Sequence, residues 1–373
     1  MTGRLPARPP RRADTDTAAL VVGGGPAGCA AAITIARSGA RVVLVDRGTT
    51  TTGSWGAVLD DRAAASLGEL GIAVRGRRVT AQPWLDAGTV VLRPELDDQL
   101  RERCRTEGVV VIEGIEALAP VTERGIVVGA TCQSVDGSPR RFGCDVLIVA
   151  DGANSTFGRA LGTHRRRDLP YLVGVRRRWA SGRAATASVT RSLQRGDGER
   201  VPGLGWALPD DHGGVTVGVT IPSTVPDVEG INPTQVLERL VDRWRDTGRL
   251  DLGEPLGEAR GGRLPVGGSV GPIAGPTFLV VGDAAAAGHP LTGLGIAAAV
   301  RTGALAGRAA GTALLAGDAA ALQTFPVDVR RDLGEEHRRS RNALRIIGTP
   351  AGHLLERRAP RLVRIAAALS PGG

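Results

Sequence analysis

The fold is decided by Ala19-Leu20-Val21-Val22-Gly23-Gly24-Gly25-Pro26-Ala27-Gly28, followed by the apolar run Arg41-Val42-Val43-Leu44-Val45-Asp46. Residues 20–22 predict a short buried parallel strand, and the residues after the glycines predict an Ala- and Ile-rich helix. Gly23, Gly25 and Gly28 have the G-x-G-x-x-G spacing that brings backbone close to a pyrophosphate at a helix N-terminus. Asp46 ends the next strand, where a carboxylate can accept hydrogen bonds from ribose hydroxyls. A glycine turn without function is the alternative, but strand, helix and acid together favour a dinucleotide site.

Two further stretches combine a buried strand with a carboxylate at its end. They are Cys144-Asp145-Val146-Leu147-Ile148-Val149-Ala150-Asp151-Gly152-Ala153-Asn154-Ser155 and Phe278-Leu279-Val280-Val281-Gly282-Asp283-Ala284-Ala285. Asp283 is placed to bind the ribityl or pyrophosphate-side groups of a flavin, and Asp151 with Arg159 supports the middle motif or forms only a turn. The chain then runs through Pro290-Leu291-Thr292-Gly293-Leu294-Gly295, a helix start whose free N–H groups suit an electron-rich carbonyl edge. Three motifs in this order predict an FAD site without a metal.

From about residue 18 to about residue 325, these motifs resemble the class A flavoprotein monooxygenases and geranylgeranyl-reductase-like enzymes. GDAAAAGHPLTGLGI (282–296) resembles the family's G-D motif, and its HPLTG is similar to squalene-epoxidase-like members. GLGWALP (203–209) with GVTVGV looks more like the reductase and flavin-halogenase branch. The resemblance implies a Rossmann-like, glutathione-reductase-like, doubly wound α/β domain for FAD, with an inserted, mostly β substrate domain. It also implies that Arg93, between a strand and a helix, lies towards flavin and substrate, although a solvated helix start is an equal interpretation.

The expected division of the chain follows these motifs. Residues 1–17 are predicted to be a disordered basic tail, 18–165 and 264–325 the FAD-binding domain, 166–263 the substrate sheet and 326–373 C-terminal helices. Strands are predicted at 171–179, 185–193, 203–209 and 215–222, with a hairpin turn at 210–214. Asn232 and Pro233 predict a helix start, and Leu237, Leu240, Val241 and Trp244 predict its sheet-facing side. Helices are predicted at 327–345 and 351–369.

Composition narrows the classes of protein. All 47 basic residues of the 373-residue chain are arginine, and the formal net charge is +9. Without an aromatic-interleaved basic strip, nucleic-acid binding is not expected. Four scattered cysteines (Cys29, Cys104, Cys132 and Cys144) predict buried structural thiols rather than a disulfide framework or metal site. Without a signal peptide or a long apolar run, we expect a cytoplasmic protein. Its basic C-terminal stretch could touch a membrane, but a solvated helix is favoured.

The first functional hypothesis is an FAD-dependent monooxygenase (a hydroxylase or epoxidase) that acts on an apolar or aromatic small molecule. The resemblance implies reduction by NAD(P)H or a separate reductase, reaction with O2 to a C4a-hydroperoxide, and oxygen transfer, as in a biosynthetic pathway. The alternative is a geranylgeranyl-reductase-like reductase or dehydrogenase of an isoprenoid or other apolar substrate. Against it, residues 53–57 lack the Cys-Gly-Glu usual in that branch. A third hypothesis is a binding protein without redox chemistry, which the retained motifs argue against. Halogenation is set aside because the family's active-site lysine cannot be supplied.

No catalytic side chain follows from the sequence, and protein catalytic groups are not obligatory because the flavin carries the chemistry. Trp206 either lines the substrate cavity or belongs to the core of the sheet. His289 either touches flavin or substrate or shapes its loop. The other four histidines, His164, His212, His337 and His353, are predicted at the surface or in turns.

Overall fold

The structure is a computed structural model that describes residues 15–48, 55–81, 87–182, 186–191 and 193–347. Short 3-10 turns lie at Val228–Gly230, Gly282–Ala285 and Ala319–Thr324. The strands and helices are, in chain order, β1 (Thr15–Val22), α1 (Pro26–Arg37), β2 (Val42–Asp46), β3 (Gly56–Asp60), α2 (Asp61–Glu69), β4 (Arg77–Val79), β5 (Gly88–Leu92), α3 (Arg93–Thr106), β6 (Val110–Glu113), β7 (Ile115–Glu123), β8 (Ile126–Ser134), β9 (Pro139–Val149), α4 (Thr156–Ala160), β10 (His164–Arg165), β11 (Tyr171–Ala180), β12 (Ser188–Thr190), β13 (Leu193–Gln194), β14 (Arg200–Val201), β15 (Leu204–Pro209), β16 (Gly214–Pro222), α5 (Pro233–Asp246), β17 (Arg260–Pro265), β18 (Val270–Gly271), β19 (Phe278–Val280), α6 (Ile296–Ala316) and α7 (Phe325–Ile347).

The first sheet is a parallel sheet with the strand order β6-β2-β1-β9-β19. Its strands are continuous apolar runs because both faces are covered, and helices α1, α3 and α6 bury one face. The other face is covered by β7, β8 and the first half of β9, which form an antiparallel meander, and by α4. The predicted Rossmann-like FAD-binding fold with an additional β sheet is therefore confirmed.

Helices α1 and α6 pack at unusually short range through small residues. A Cβ added at Gly303 would lie 2.2 Å from the backbone oxygen of Ala27. A Cβ at Gly307 would lie 2.5 Å from the Cβ of Thr34, and Gly311 faces α1 in the same way. Glycine every fourth residue puts all three on one face of α6, so that face meets α1 with backbone rather than side chains. The packing fixes α1, which follows the first glycine turn.

The second sheet has the order β12-β15-β16-β11-β17, and its neighbouring strands are antiparallel. Helix α5 covers one face of it. The side chain of Asn232 caps that helix by accepting hydrogen bonds from the backbone N–H groups of Thr234 and Gln235. The predicted apolar face of α5 is buried against the sheet, which confirms that part of the sequence interpretation. The other face of the sheet points towards the first domain.

A buried ion pair closes the β15–β16 hairpin. Asp210 accepts hydrogen bonds from Nε (2.8 Å) and Nη2 (3.0 Å) of Arg178. It also accepts the backbone N–H groups of His212 and Gly214 at 2.8 and 3.1 Å. These contacts outweigh the burial that would raise the pKa of the Asp210 carboxyl, and they hold it below its ordinary value. The turn therefore depends on an ionised carboxylate.

Several predicted boundaries differ from the structure. Strand β1 begins at Thr15, inside the segment predicted as a tail, because residues 15–17 pair with residues 142–144 of β9. The single strand predicted at 185–193 is two short strands, β12 and β13, which pair with different partners. Strand β17 runs through the boundary drawn between residues 263 and 264 because it pairs with β11 along its length. The helix predicted at 351–369, with His353, and tail residues 1–14 lie outside the described residues. Among the helices that are described, none combines the length and the apolar character needed to cross a membrane.

Candidate flavin and substrate site

A cavity of about 490 Å³ lies between the two sheets. One wall comes from the first domain: the N-terminus of α1, the turn after β9, and the segment from Asp283 to the start of α6. The opposite wall is the face of the second sheet that α5 leaves uncovered. The three sequence motifs, separated by more than a hundred residues along the chain, thus line one cavity.

The first motif brings bare backbone to this cavity. Gly23 has φ +107°, and an added Cβ there would lie 2.3 Å from the backbone oxygen of Ala150. A Cβ at Gly28 would lie 1.9 Å from the oxygen of Gly23, so no side chain fits at either position. Gly25 precedes α1 without a side-chain cap, and Pro26 opens the helix. The N-terminal N–H groups of α1 are therefore open to an anion in the cavity.

Asp46 lies at the end of β2 beside the glycine turn. Its carboxylate accepts a hydrogen bond from the N–H of Gly24 and another, at 2.8 Å, from the N–H of Gly48. Two backbone donors leave a carboxylate with lone pairs for further donors. The structure places Asp46 beside the glycine turn but not among the residues that line the cavity, so its contact with ribose hydroxyls stays a prediction.

The third motif supplies a second uncapped helix start at the same cavity. Gly295 precedes α6 without a side-chain cap, and Thr292, Gly293 and Leu294 line the cavity just before it. Burial raises the pKa of Asp283, which lines the cavity, although the nearby charges of Arg93 and Arg176 oppose the shift. The N-termini of α1 and α6 and the carboxylate of Asp283 therefore line the same cavity.

Asp151 does not line the cavity, unlike Asp283. Its Oδ2 accepts the backbone N–H of Phe157 at 3.0 Å, and its Oδ1 is buried without a hydrogen-bond partner in the described part of the chain. The neighbouring backbone, Ala150 and residues 152–154, lines the cavity instead. Arg159 is exposed and bonds only the oxygen of Asn154, at 3.3 Å. These contacts match the interpretation that Asp151 and Arg159 both support the turn.

His289 shapes the loop before α6. Its Nδ1 accepts the backbone N–H groups of Leu291 and Thr292, both at 3.3 Å. Since Nδ1 accepts, Nε2 carries the hydrogen and faces the hydroxyl of Ser340 on α7 at 3.1 Å. Both ring nitrogens are thus engaged within the protein, and His289 is absent from the cavity wall.

The prediction that His337 is a surface residue is wrong. His337 is only 6% exposed, because it shares one face of α7 with the buried Leu333, Ser340 and Leu344. Its Nε2 lies 3.1 Å from the backbone oxygen of Ala287, in the loop that leads to the third motif. Burial lowers the pKa of His337 to about 4, so the ring is neutral in the folded protein near neutral pH.

We expect acid to destabilise the protein through His337. An unfolded histidine takes up a proton below about pH 6.5, whereas the buried ring resists protonation down to its folded pKa. Stability is therefore complete above the unfolded pKa and is lost as the pH falls towards the folded one, by about 2 kcal/mol between about pH 7 and about pH 5. Urea unfolding across this range measures the loss. His337→Gln, which can keep an N–H donor to Ala287, should show a smaller loss; an equal loss would contradict the assignment.

Arg93 and Trp55 form one end of the cavity. The backbone N–H of Arg93 donates to the oxygen of Trp55 at 3.0 Å, which joins the start of α3 to the residue before β3. The guanidinium of Arg93 lines the cavity and makes two 3.0 Å hydrogen bonds to the carboxylate of Asp97. The structure thus brings Arg93 to the cavity, as the resemblance implies. The alternative, a solvated residue at the start of a helix, does not describe Arg93.

The sheet wall of the cavity is mostly apolar and partly bare. Trp206 lines it, with Val189, Leu204 and Leu208. A Cβ added at Gly218 would lie 2.3 Å from Cζ2 of Trp206, so the indole lies flat across the neighbouring strand. Gly174 and Gly262 pair across β11 and β17 and line the cavity without side chains. The structure therefore places Trp206 at the cavity, one of the two positions that the sequence left open.

The cavity residues that sequence reasoning missed include Trp55 and Arg176. Arg176 projects from β11 beside Trp55, with its guanidinium carbon 4.2 Å from the centroid of the indole ring. Alternation along the predicted strand puts Arg176 and Arg178 on one face and Arg177 on the other, but only the partner strands show which face meets the cavity. For Trp55, no local signal was present.

Comparison with known proteins shows which class of enzyme this chain resembles. Residues 17–163 match the family described as pyridine nucleotide-disulphide oxidoreductase. The chain is 35% identical over 314 residues to a menaquinone reductase of Mycolicibacterium smegmatis, covering 77% of this chain and 74% of that protein. It is 28% identical over 334 residues to a digeranylgeranylglycerophospholipid reductase of Methanoculleus marisnigri, covering 83% and 80% of the two chains.

A solved structure has the same architecture. The geranylgeranyl bacteriochlorophyll reductase-like protein of Thermoplasma acidophilum superimposes with a TM-score of 0.75 at 22% identity, over 95% of this chain and 92% of that one. The protein is an FAD-dependent oxidoreductase. It belongs to the family that contains the menaquinone reductases, and it shares the fold of the geranylgeranyl bacteriochlorophyll reductase-like protein.

The residues of this chain fit FAD. A dinucleotide needs backbone N–H groups close to its phosphates, and here Cβ atoms are excluded at Gly23 and Gly28 beside an uncapped helix start. A ring system with carbonyl edges needs a second set of donors, and the start of α6 provides it at the other end of the same cavity. Among the described residues, no group of three or more histidine, cysteine, aspartate or glutamate side chains is arranged to hold a metal ion.

Proposed function

We propose that this protein is an FAD-dependent reductase that saturates a carbon–carbon double bond in the isoprenoid chain of a lipid with a polar head. The observation that carries the proposal is the apolar sheet wall, with Val189, Leu204, Trp206 and Leu208, facing the flavin motifs across one cavity. The names of the related proteins point the same way. Menaquinone and digeranylgeranylglycerophospholipid share an unsaturated isoprenoid chain and differ in the head that carries it.

This proposal reverses the order of the two hypotheses drawn from the sequence, where the monooxygenase came first. The HPLTG loop favoured oxygen transfer, but His289 uses both ring nitrogens to hold that loop. The missing Cys-Gly-Glu argued against a reductase; in its place the chain has Trp55, whose indole stacks with Arg176 beside the cavity. The relatives with substantial identity are named as reductases, and this favours the reductase over the monooxygenase.

In the proposed site, the first-domain wall binds FAD. The turn with Gly23, Gly25, Pro26, Ala27 and Gly28 would hold the diphosphate at the N-terminus of α1, and Asp46 the ribose. Gly282 and Asp283 would hold the ribityl side, and Pro290 with residues 292–295 the carbonyl edge of the isoalloxazine. Bound FAD, once reduced by NAD(P)H or a separate reductase, would supply a hydride to one carbon of the double bond, while the other carbon takes a proton. The protein excludes water from the apolar wall and fixes the chain against the flavin.

The test is anaerobic turnover of the FAD-loaded protein, reduced with dithionite. The probes are geranylgeraniol and a menaquinone with a short isoprenoid chain, analysed by mass spectrometry. We expect the menaquinone to gain two hydrogen atoms per turnover in its chain without oxygen. A requirement for O2 and a product that has gained an oxygen atom would replace the reductase by a monooxygenase. Protein that purifies colourless and takes up no FAD would favour the binding-protein hypothesis. The matched control is the same protein stripped of FAD.

A further inference from the structure

Arg176 is a half-buried cation in the cavity wall. Its Nε has no partner within the part of the chain that the structure describes. Burial, followed by the charges of Arg93 and Arg260, lowers the pKa of its guanidinium to about 10, so it still carries its charge at neutral pH. A buried donor destabilises the fold unless a hydrogen bond compensates it, so an unpartnered Nε at a ligand cavity needs an explanation.

Among the described residues, a carboxylate hydrogen-bonds the guanidinium of the neighbouring Arg93, but none hydrogen-bonds that of Arg176. Arg93 has its own carboxylate, Asp97, in a two-pronged hydrogen bond. Asp283 attracts Arg176 electrostatically but makes no hydrogen bond with it. What Arg176 does have is the indole of Trp55 against its flat face. Stacking holds the guanidinium plane and leaves its edge, where the N–H donors point, free for a planar acceptor.

Arg176 belongs to the second sheet, although Asp283 of the third motif is near enough to attract it across the cavity. It projects from β11 in a row across the second sheet, in register with Gly218 of β16, which is in turn in register with Trp206 of β15. The indole of Trp206 occupies the space that a side chain at Gly218 would need, so the floor beside Arg176 is formed by the indole ring and the backbone under it. A flat polar group lying on this floor would meet the indole on one side and the guanidinium edge on the other.

We propose that Arg176, held by Trp55, binds the polar head of the substrate through an acceptor oxygen, a carbonyl or an oxyanion, while the isoprenoid chain lies along the apolar wall. This subsite deepens the proposed reductase and rests on it for the identity of the molecule that carries the oxygen. The two ideas can fail separately, because the subsite is tested by binding to oxidised protein and the reductase by turnover.

The test compares two probes that share a ring skeleton: menadione, which has two carbonyl oxygens, and 2-methylnaphthalene, which has none. Equilibrium dialysis against the FAD-loaded protein measures each affinity. We expect Arg176→Met to weaken menadione binding at least about tenfold, as the loss of a charged hydrogen-bond donor does. Binding of 2-methylnaphthalene should change less than about twofold, since it uses only the apolar floor.

Arg177→Met is the matched control, because Arg177 is the next residue on β11 and its Nε donates to the backbone oxygen of Gly257 instead. It should bind both probes as the unmodified protein does. Equal menadione affinity in the Arg176→Met protein would overturn the proposal. So would a fall in FAD affinity of the Arg176→Met apoprotein with unchanged menadione binding, because the acceptor oxygen would then belong to the flavin. Arg176→Lys, which keeps the charge without the planar fork, should recover only part of the menadione affinity.

Discussion

Gly303→Val should lower the free energy of unfolding by about 3 kcal/mol or more, because the new side chain meets backbone rather than a movable group. The Cβ alone would lie 2.2 Å from the oxygen of Ala27 and 2.9 Å from the Cβ of Ala30, so α6 and α1 must move apart. Since α1 begins at the first glycine turn, we also expect weaker FAD binding. Chemical denaturation of the FAD-free protein measures the stability, and fluorescence quenching of added FAD measures the binding.

Gly334→Ala on α7 is the control for this substitution. A Cβ there would lie 3.5 Å from Cγ of Arg330, an ordinary contact, so only the helix propensity changes. We expect Gly334→Ala to stabilise the protein by up to about 1 kcal/mol. If Gly303→Val unfolded at the same denaturant concentration as the unmodified protein, the close packing of α1 against α6 would be wrong. If it gave no folded protein, Gly303→Ala would test the same contact with a smaller clash.

Asp210→Ala is the second substitution with a large expected effect. The carboxylate of Asp210 and the guanidinium of Arg178 are 1% and 11% exposed, so the change leaves a largely buried arginine without its partner. Breaking one side of a buried ion pair costs about 3–5 kcal/mol, whereas replacing both sides by apolar groups costs much less. Thermal or urea unfolding should therefore show a large loss for Asp210→Ala. The double variant with Arg178→Met should recover part of it, and additive losses would contradict the pairing.

The same pair predicts a pH dependence distinct from that of His337. The folded pKa of Asp210 lies below its ordinary value, so its contribution is present above the unfolded pKa and disappears as the pH falls through the folded pKa. That window lies below about pH 4, more acidic than the window of the histidine. Unfolding curves of Asp210→Ala should lack this low-pH component and retain the histidine one.

The sequence predicted that the start of α1 and the segment before α6 share one site, because each of these motifs is local. The tight turn at Gly23 and Gly28 and the carboxylates of Asp46 and Asp283 follow strands whose apolar runs are visible in the chain. Parallel strands bring their carboxyl ends to one edge of a sheet, so strands with such ends predict a common site. Helix α5 was predicted for the same reason, from its Asn232 cap and its apolar spacing.

The substrate wall could not be predicted in this way, because its residues acquire their surroundings from strands distant in sequence. Whether Arg176 meets solvent or the cavity depends on the register of β11 with β16 and β17. The error at His337 was avoidable: Leu333 and Leu344 lie four residues before it and seven after it, a spacing that puts all three on one helical face. This position in the helix indicates that His337 is buried.

The bare glycines of the substrate sheet also bear on how this family changes its substrates. At Gly262, a new Cβ would meet no atom within 4 Å, although the residue lines the cavity. Mutation there would alter the space available to a ligand while leaving the packing of the protein intact, so selection could explore new substrates at little risk to folding. At Gly218 the same change would displace Trp206. Adaptation of the cavity should therefore accumulate at the β17 edge of the sheet and spare its centre, and Gly262 is where directed evolution should begin.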